Sequence, residues 1–301
     1  MRYAVGVDLG GSFIKFGVVS EKGELREFRK VETPRERGVE EVLSAIVFHV
    51  KDLLKGYFVN DIGVASPGSI TRGGIVLFSP NFPLWRKVRL RELLEEKLGR
   101  RVVVDNDANA FAFGEKEVGC AQGVDDFILL TLGTGVGGAV FSGGRLIRGS
   151  MGIGAELGHI LVGERGPVCG CGNIGCLETY ASASGIGKLA EEEGLSESER
   201  NPVELLRLYH MGDFRALRVI DKTKRYLERA LISFVHIFNP KLIVFGGGLS
   251  KGWREILYDL QDRVNSKVMP SFRGSFKIEF SSLHEEAGVL GIALMALKSE
   301  R

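Results

Sequence analysis

The sequence predicts an α/β protein built from two structurally related halves. The chain has 301 residues, more than the roughly 250 at which single hydrophobic cores usually stop growing, so two domains are expected. Apolar strands alternate with amphipathic helices, as is typical of α/β folds. A unit of strand, glycine turn and strand occurs near residue 10 and again near residue 133. This repetition implies duplicated halves with a cleft between them.

The first half opens with a predicted β-hairpin. Strands over 3–8 and 13–20 flank the turn Leu9-Gly10-Gly11-Ser12, because both runs are rich in β-forming residues and glycine permits a tight turn. Apolar residues at helical spacing then predict a helix over 38–54. The remaining elements predicted in this half are a strand over 61–65, a helix over 90–98 ended by Gly99, a buried strand over 102–104 and a helix over 108–118.

The second half repeats the opening unit with a strand over 127–131, a glycine turn over 133–138 and a return strand over 139–141. The elements expected further along are a helix over 214–238, a strand over 242–245, a helix from Trp253, a strand over 277–281 and a final helix from Ala287. We expect a small α/β domain from residues 1–107 plus 287–301. Residues 108–286 are expected to form a large α/β domain that carries a cysteine-rich loop.

The charge balance excludes several classes of partner. Lysine and arginine number 40 and aspartate and glutamate 38, so no global field would draw the protein to nucleic acid or to a membrane surface. A small-molecule ligand is expected instead. No apolar run of about 18 residues is present to span a bilayer. The first strand begins near the N-terminus and leaves no room for a signal peptide, which predicts a cytoplasmic protein.

The glycine turns are candidate phosphate-binding sites. The first turn combines accessible backbone N–H groups with a carboxylate, which suits phosphate oxygens and hydrated Mg²⁺, and its residues are Asp8, Gly10, Gly11 and Ser12. A single such turn could equally be an ordinary hairpin. A matching turn at Gly133, Thr134 and Gly135 favours two turns that bind one polyphosphate. After the strand over 242–245, Gly247 and Gly248 form either a nucleotide contact or a plain loop.

Asn106 and Asp107 lie where a buried strand gives way to a helix, a common position for reactive side chains in open α/β sheets. A carboxylate accepts from a hydroxyl and an amide both donates and accepts, so the pair suits neighbouring sugar hydroxyls. Capping of the following helix is an equally good explanation, because asparagine and aspartate are preferred N-caps.

A cluster of potential metal ligands follows in the second half. The four residues are His159, Cys169, Cys171 and Cys176, with glycines between the cysteines that let the chain wrap an ion. Four nitrogen and sulfur ligands are typical of structural Zn²⁺. The Cys-x-Cys spacing leaves a redox pair as the alternative. Cys120 is best explained as a small buried apolar residue.

Five motifs in order make the sequence similar to the ROK family (repressors, unassigned reading frames and kinases) across essentially the whole chain. They are Val7–Lys15, Val104–Ala110, Leu132–Gly138, Gly154–His159 and Cys169–Glu178. The resemblance implies an actin-like ATPase (ribonuclease H-like) fold. It also implies structural Zn²⁺ at His159, Cys169, Cys171 and Cys176 in a zinc-binding loop of the large domain.

The resemblance further implies where the substrates bind. Sugar in the interdomain cleft would contact Gly68, Asn81, Asn106, Asp107, Glu156, His159 and Glu178. ATP would lie against Gly10, Gly11, Ser12, Thr134 and Gly135, with its adenosine end near Gly247 and Gly248. Ser12 stands where threonine is commoner in the family, but it keeps the hydroxyl. Lys15 would be either a phosphate contact or a solvated strand residue.

The implied activity is ATP-dependent phosphorylation of a hexose, with Asp107 as the catalytic base and the 6-hydroxyl of glucose as the first choice of acceptor. N-acetylglucosamine, N-acetylmannosamine or fructose would be the alternative acceptor. A sugar sensor without turnover is disfavoured, because sensing needs neither the phosphate turns nor a base. A transcriptional regulator is disfavoured, because too few residues precede Asp8 for a DNA-binding domain. The resemblance also implies a homo-oligomer, either a dimer or a tetramer.

Overall fold

The structure is a computed structural model that describes residues 1–34 and 38–299. Its contacts divide the chain into two compact units. Unit 1 takes the described residues within 1–123, 148–154 and 285–301, and unit 2 takes 124–147 and 155–284. In the described ranges, none of the helices has the length and apolar character needed to cross a bilayer.

The helices and strands follow one another in two runs. The run up to residue 118 comprises β1 (Tyr3–Leu9), β2 (Phe13–Ser20), β3 (Leu25–Glu32), α1 (Val39–Gly56), β4 (Val59–Ser66), β5 (Ser69–Ile70), β6 (Val76–Phe78), β7 (Arg86–Val88), α2 (Leu90–Leu98), β8 (Val102–Asn106) and α3 (Asp107–Val118). The second run comprises β9 (Phe127–Leu132), β10 (Val136–Ser142), β11 (Arg145–Leu146), α4 (Glu178–Ala181), α5 (Ala183–Glu192), α6 (Pro202–His210), α7 (Phe214–Phe238), β12 (Leu242–Gly246), α8 (Gly248–Gly252), α9 (Arg254–Leu257), α10 (Leu260–Lys267), β13 (Lys277–Phe280) and α11 (Ala287–Lys298).

The two units contain five-stranded sheets of the same topology. The strand order is β3-β2-β1-β4-β8 in unit 1 and β11-β10-β9-β12-β13 in unit 2. In each sheet the first three strands are antiparallel neighbours, and the last two join in parallel. The duplication that the sequence predicts is therefore confirmed. Both glycine turns occupy the equivalent place, between the first two strands of their unit.

Most predicted elements are present, with corrections where the sequence signal is weak. The second glycine turn covers only residues 133–135, because β10 begins at Val136 and runs through Gly137 and Gly138. The helix expected from Trp253 is three short helices that begin at Gly248. Elements without a prediction are β3, the small sheet of β5, β6 and β7, the strand β11, and helices α4, α5 and α6.

Helix α3 packs within unit 1, so the contact division differs from the boundary expected at residue 107. The reason is a close approach of α3 and α11 along small residues. A methyl group added at Gly291 would overlap the carbonyl oxygen of Ala110, and one at Gly114 would lie 2.8 Å from the carbonyl oxygen of Ala287. Helices approach this closely only where side chains are absent.

Helix α11 also lies directly on the backbone of the unit 1 sheet. All of its residues from Ala287 to Leu297 are buried. A methyl group at Gly6 of β1 would overlap the carbonyl oxygen of Val289, and one at Gly63 of β4 would overlap that of Ile292. The two central parallel strands therefore need glycine where the helix crosses them.

In unit 2 the 25-residue helix α7 supplies much of the core. Its buried face contains Leu227, Leu231 and Phe234, which belong to one apolar cluster with the inward side chains Ile128 of β9 and Ile243 of β12. Asp213 caps the helix by accepting from the backbone N–H groups of the first turn. This core supports the strand ends from which the second glycine turn leaves.

We predict that Gly63→Ala lowers the free energy of unfolding by roughly 1–3 kcal/mol, because overpacking forces the helix away from the sheet. The matched control is Gly56→Ala at the end of α1, where an added methyl group meets nothing within 4 Å. The control should stay within about 0.5 kcal/mol of the parent or gain stability from better helix propensity. Denaturant unfolding measures both variants, and equal stability of the two would contradict the proposed packing.

Candidate active site

The first glycine turn, Gly10–Ser12, is flanked by an ion pair and an amide side chain. Asp8 Oδ2 accepts a hydrogen bond from Lys15 Nζ at 3.2 Å, with side-chain exposures of 16% and 22%. Lys15 is thus bound to Asp8 and is not a fully solvated strand residue. A methyl group on Gly11 would lie 2.8 Å from Asn81 Nδ2, so the predicted sugar ligand Asn81 rests against the turn.

The second glycine turn is held by Glu178 of the cysteine-rich segment. Glu178 Oε2 accepts from the backbone N–H of Val136 at 3.1 Å, and a methyl group on Gly135 would lie 2.6 Å from that oxygen. Within the turn, Gly133 N donates to the carbonyl oxygen of Gly135 at 3.0 Å. Glu178 therefore fixes the C-terminal side of a predicted phosphate-binding turn. The sequence predicted a sugar contact for Glu178 but not this contact with the turn.

Gly247 lies beside the same turn in unit 2. It has φ +87, and an added methyl group would overlap the carbonyl oxygen of Leu132, the last residue before the turn. Its carbonyl oxygen accepts from Ser250 Oγ at 2.9 Å. The structure thus brings the predicted nucleotide residues Gly247 and Gly248 to the end of β9.

Asn106 connects the strand end of β8 to Gly68. Its Nδ2 donates to the carbonyl oxygen of Gly68 at 3.0 Å, and its Oδ1 accepts from the N–H groups of Ala108 at 2.9 Å and Asn109 at 3.2 Å. Asn106 is therefore the N-cap of α3, and its sugar contact stays a prediction. Asp107 is the first residue of α3, and its Oδ1 accepts from Ala108 N at 2.9 Å, which orients the carboxylate.

Asp105, two residues before Asp107, forms an ion pair that the sequence did not predict. Asp105 Oδ2 pairs with Arg148 Nη2 at 2.5 Å, with side-chain exposures of 13% and 29%. Asp105 Oδ1 accepts from Asn106 N at 2.8 Å and from Asn109 Nδ2 at 2.9 Å. Asp105 therefore organises the first turn of α3. The acidic residue directly before the Asn-Asp pair was a signal in the sequence, but its partner lies 43 residues away.

Arg148 belongs to a segment, residues 148–154, that packs in unit 1 although its flanking residues belong to unit 2. The carbonyl oxygen of Gly149 accepts from Arg72 Nη2 at 3.1 Å. A methyl group on Gly152 would lie 2.6 Å from the backbone nitrogen of Arg72. Arg72 thus contacts the segment at both Gly149 and Gly152, and Glu156 follows two residues after the segment.

Glu156 and His159 flank a single turn of 3₁₀ helix in unit 2, Leu157–His159. Desolvation by surrounding protein atoms raises the pKa of the Glu156 carboxyl, although Glu156 is an exposed residue. His159 lowers this pKa, and the Glu178 carboxylate raises it further. Two predicted sugar ligands, His159 and Glu178, are therefore close enough to a third, Glu156, to interact with it electrostatically.

The four predicted metal ligands come together. The potential ligand atoms of His159, Cys169, Cys171 and Cys176 all lie within 4.8 Å of one another. His159 Nδ1 is 3.4 Å from Cys169 Sγ, and Cys171 Sγ is 3.5 Å from Cys176 Sγ. The sulfur separation is far longer than a disulfide bond of about 2.05 Å. A tetrahedral ion with metal–sulfur distances of about 2.3 Å needs ligands spaced in this way.

The loop that carries these ligands is braced from several sides. Isolated β-bridges pair Leu161 with Cys176 and Val168 with Ile174. Tyr180 is fully buried, and its hydroxyl donates to the carbonyl oxygen of Arg165. Glu178 Oε1 lies 3.5 Å from Cys169 Sγ. Since the other oxygen of Glu178 contacts the second glycine turn, this carboxylate links the metal-ligand cluster to that turn.

Comparisons with known proteins indicate the family of the chain. The model of the ROK family matches residues 4–299. The chain is 40% identical to a glucokinase of Thermotoga maritima over 96% of this chain and 95% of the relative. A glucokinase of Streptomyces griseus, solved with glucose and AMPPNP, superposes with a TM-score of 0.85 at 32% identity, covering 99% of this chain and 100% of that one.

A hexokinase of Thermus thermophilus gives a TM-score of 0.85 at 36% identity over 98% of both chains. These relatives share the two-domain α/β architecture, with mixed sheets, of actin-like ATPases. The region matched by the family model includes the glycine turns, the metal-ligand cluster and nearly all of the two repeated sheets. The chain therefore belongs to the ROK family.

Proposed function

We propose that this protein is an ATP-dependent hexose kinase that phosphorylates glucose at its 6-hydroxyl. The proposal rests on the pair of equivalent glycine turns, one in each five-stranded sheet. Asp107, at the start of α3, supplies a carboxylate for the reaction. The similarity to glucokinases of Thermotoga maritima and Streptomyces griseus supports glucose as the acceptor. The AMPPNP bound to the Streptomyces griseus protein supports ATP as the donor.

Sugar recognition is assigned to residues of each unit. In unit 1 the assigned residues are Gly68, Asn81, Asn106 and Asp107. In unit 2 they are Glu156, His159 and Glu178. The side-chain oxygen of Asn106 accepts from the cap of α3, and one N–H of its Nδ2 group donates to Gly68. The second N–H of Nδ2 is therefore the donor assigned to a sugar hydroxyl. Its geometry is fixed before sugar binds, which reduces the entropic cost of binding.

Phosphate binding is assigned to the two glycine turns, through Gly10, Gly11 and Ser12 in unit 1 and Gly133, Thr134 and Gly135 in unit 2. Gly247 and Gly248 are assigned to the adenosine end. A Mg²⁺ ion bound with the nucleotide would neutralise phosphate charge. Asp8 provides a carboxylate beside the first turn, and carboxylate oxygens are ligands that Mg²⁺ accepts. Lys15, bound to Asp8, places a positive charge at the same turn.

In the proposed reaction, Asp107 accepts the proton of the 6-hydroxyl while that oxygen attacks the γ-phosphorus of ATP. The new bond joins the sugar oxygen to phosphorus, the bond between the γ-phosphorus and the bridging oxygen breaks, and ADP leaves. Positioning and charge stabilisation supply most of the catalysis in phosphoryl transfer, and general-base help adds roughly 10²–10⁴-fold. The hydrogen bond from Ala108 N to Asp107 Oδ1 holds the carboxylate in one orientation.

We predict that glucose gives the highest kcat/KM with Mg-ATP in a coupled assay of ADP release. The sugars compared with it are mannose, fructose, allose, N-acetylglucosamine and N-acetylmannosamine. A preference for an N-acetylated sugar would replace glucose as the assigned acceptor. ADP release that no hexose stimulates would refute the kinase proposal as a whole.

Replacing the proposed base tests the mechanism directly. We predict that Asp107→Asn lowers kcat at least roughly 10²-fold while glucose binding largely persists, because asparagine keeps the side-chain shape but is a very weak base. Steady-state kinetics and equilibrium binding of glucose measure the two effects. The matched control is Glu96→Gln on the exposed side of α2, which should turn over like the parent. Unchanged kcat in Asp107→Asn would remove the assigned base.

We also propose that one structural Zn²⁺ per chain binds to His159, Cys169, Cys171 and Cys176. Three sulfur atoms and one imidazole are ligands that Zn²⁺ prefers, and four protein ligands leave no position open for catalysis. If His159 Nδ1 binds the ion, as its proximity to Cys169 Sγ supports, the other ring nitrogen remains to contact a sugar hydroxyl. Metal binding would then fix the tautomer and orientation of a sugar ligand.

We predict about one equivalent of zinc per chain in metal-replete protein, and its loss in Cys171→Ser together with a lower Tm. Elemental analysis and thermal unfolding measure the two effects. Cys120→Ser is the matched control, because Cys120 lies in unit 1 beside Glu115 and outside the cluster. Native protein that is fully active without zinc, or a Cys171→Ser variant with a full equivalent, would rule out the proposed site.

A further inference from the structure

Thr33, the residue directly after β3, holds both sides of the first glycine turn. Its backbone N–H donates to the carbonyl oxygen of Ser12 at 2.9 Å, and its Oγ1 donates to the carbonyl oxygen of Gly10 at 2.8 Å. One residue therefore supplies an amide and a hydroxyl to the two carbonyl groups that flank Gly11. Neither the predicted phosphate residues nor the family motifs include Thr33.

The second glycine turn is held in the same way by the start of α5. Ala183 N donates to the carbonyl oxygen of Gly133 at 2.8 Å, and Ser184 Oγ donates to the carbonyl oxygen of Thr134 at 2.7 Å. Ser182 Oγ lies 3.1 Å from Ser184 Oγ and accepts from Gly185 N at 2.9 Å. Since Ser184 uses its proton on Thr134, Ser182 is the donor in the hydroxyl pair.

These contacts determine which way the peptide groups of the turns face. The described residues contain no cis peptide bond, and in a trans peptide the C=O and N–H groups point in opposite directions. Anchoring the carbonyls of Gly10, Gly133 and Thr134 therefore directs the N–H groups of Gly11, Thr134 and Gly135 away from the anchors. A glycine turn without such anchors can present either a carbonyl oxygen, which repels phosphate, or an N–H group, which binds it.

We propose that Thr33 and Ser184 are positioning residues whose hydroxyls lock the two glycine turns in the orientation that binds the phosphates of a nucleoside triphosphate. The inference rests on the proposed kinase function and extends it to residues that need not touch the substrate. The two hydroxyls act in different units on equivalent turns, and each acts together with a backbone amide. The turns are therefore preorganised, so binding does not have to orient their peptides.

The test replaces each hydroxyl while keeping the shape of the side chain. Thr33→Val and Ser184→Ala should each raise the KM for Mg-ATP on the order of fivefold, the effect of losing one hydrogen bond. The KM for glucose should change less than about twofold, because no sugar residue loses its anchor. Thr33→Ser and Ser184→Thr restore a hydroxyl and should return the KM for Mg-ATP towards the parent value.

The matched control is Ser233→Ala on α7, which removes an exposed hydroxyl that donates to the carbonyl oxygen of Arg229. It should leave both KM values unchanged. Unchanged KM for Mg-ATP in both Thr33→Val and Ser184→Ala would overturn the inference. A parallel rise of both KM values with a lower Tm would also overturn it, because that outcome indicates a general structural role.

Calorimetric titration with AMPPNP separates this inference from the proposed function. If the parent binds AMPPNP but phosphorylates no hexose, the kinase proposal fails. The weaker AMPPNP binding expected for the two variants, and its recovery in the restored variants, would still support the positioning role. If AMPPNP binds the variants as tightly as the parent, the positioning role is wrong even where hexose phosphorylation is observed.

Discussion

The close contact between helix α11 and the glycine-lined sheet of unit 1 is the constraint on which the candidate site of that unit depends. The helix lies against Gly6 and Gly63 of the two central strands and against Ala110 of α3. A methyl group at Gly288, near the start of α11, would lie 2.8 Å from the carboxyl carbon of Asp8. One helix thus supports both the strand that ends at the first glycine turn and the helix that begins with the proposed base.

Duplication gave the two units the same sheet but different additions. In unit 1 the fifth strand ends at Asn106 and leads into α3, and the ion pair of Asp105 with Arg148 organises that junction. In unit 2 the addition is the metal-ligand cluster, which Glu178 joins to the second glycine turn. Chemistry in the proposed enzyme therefore depends on features added to each copy, whereas the phosphate turns belong to the shared plan.

The parts of the structure that were predictable from sequence are those fixed by local patterns. The hairpin of β1 and β2, helix α7 and the clustering of the cysteines all follow from residues close together in the chain. The strands β5, β6 and β7 have two or three residues each, too few for alternation to be visible. Residues Gly137 and Gly138 resembled a turn, but pairing with β9 made them part of a strand.

Contacts between distant parts of the chain were not predictable from a single sequence. The pairing of Asp105 with Arg148 requires the return of residues 148–154 to unit 1, and no local signal marks that return. The same limit applies to α3. A helix over 108–118 was predicted to follow the buried strand, but its place in unit 1 depends on the approach of α11, more than 160 residues later in the chain.

The path of the chain has a consequence for folding during synthesis. Unit 1 is assembled from three segments, and the last of these, which contains α11, follows the final residues of unit 2. Until the ribosome has released that segment, Gly6 and Gly63 face no helix, and α3 lacks the surface on which it packs. Such long-range contacts are slow to form, and exposed sheet faces favour aggregation meanwhile. Unit 2 can therefore reach its native packing before unit 1 acquires its last helix.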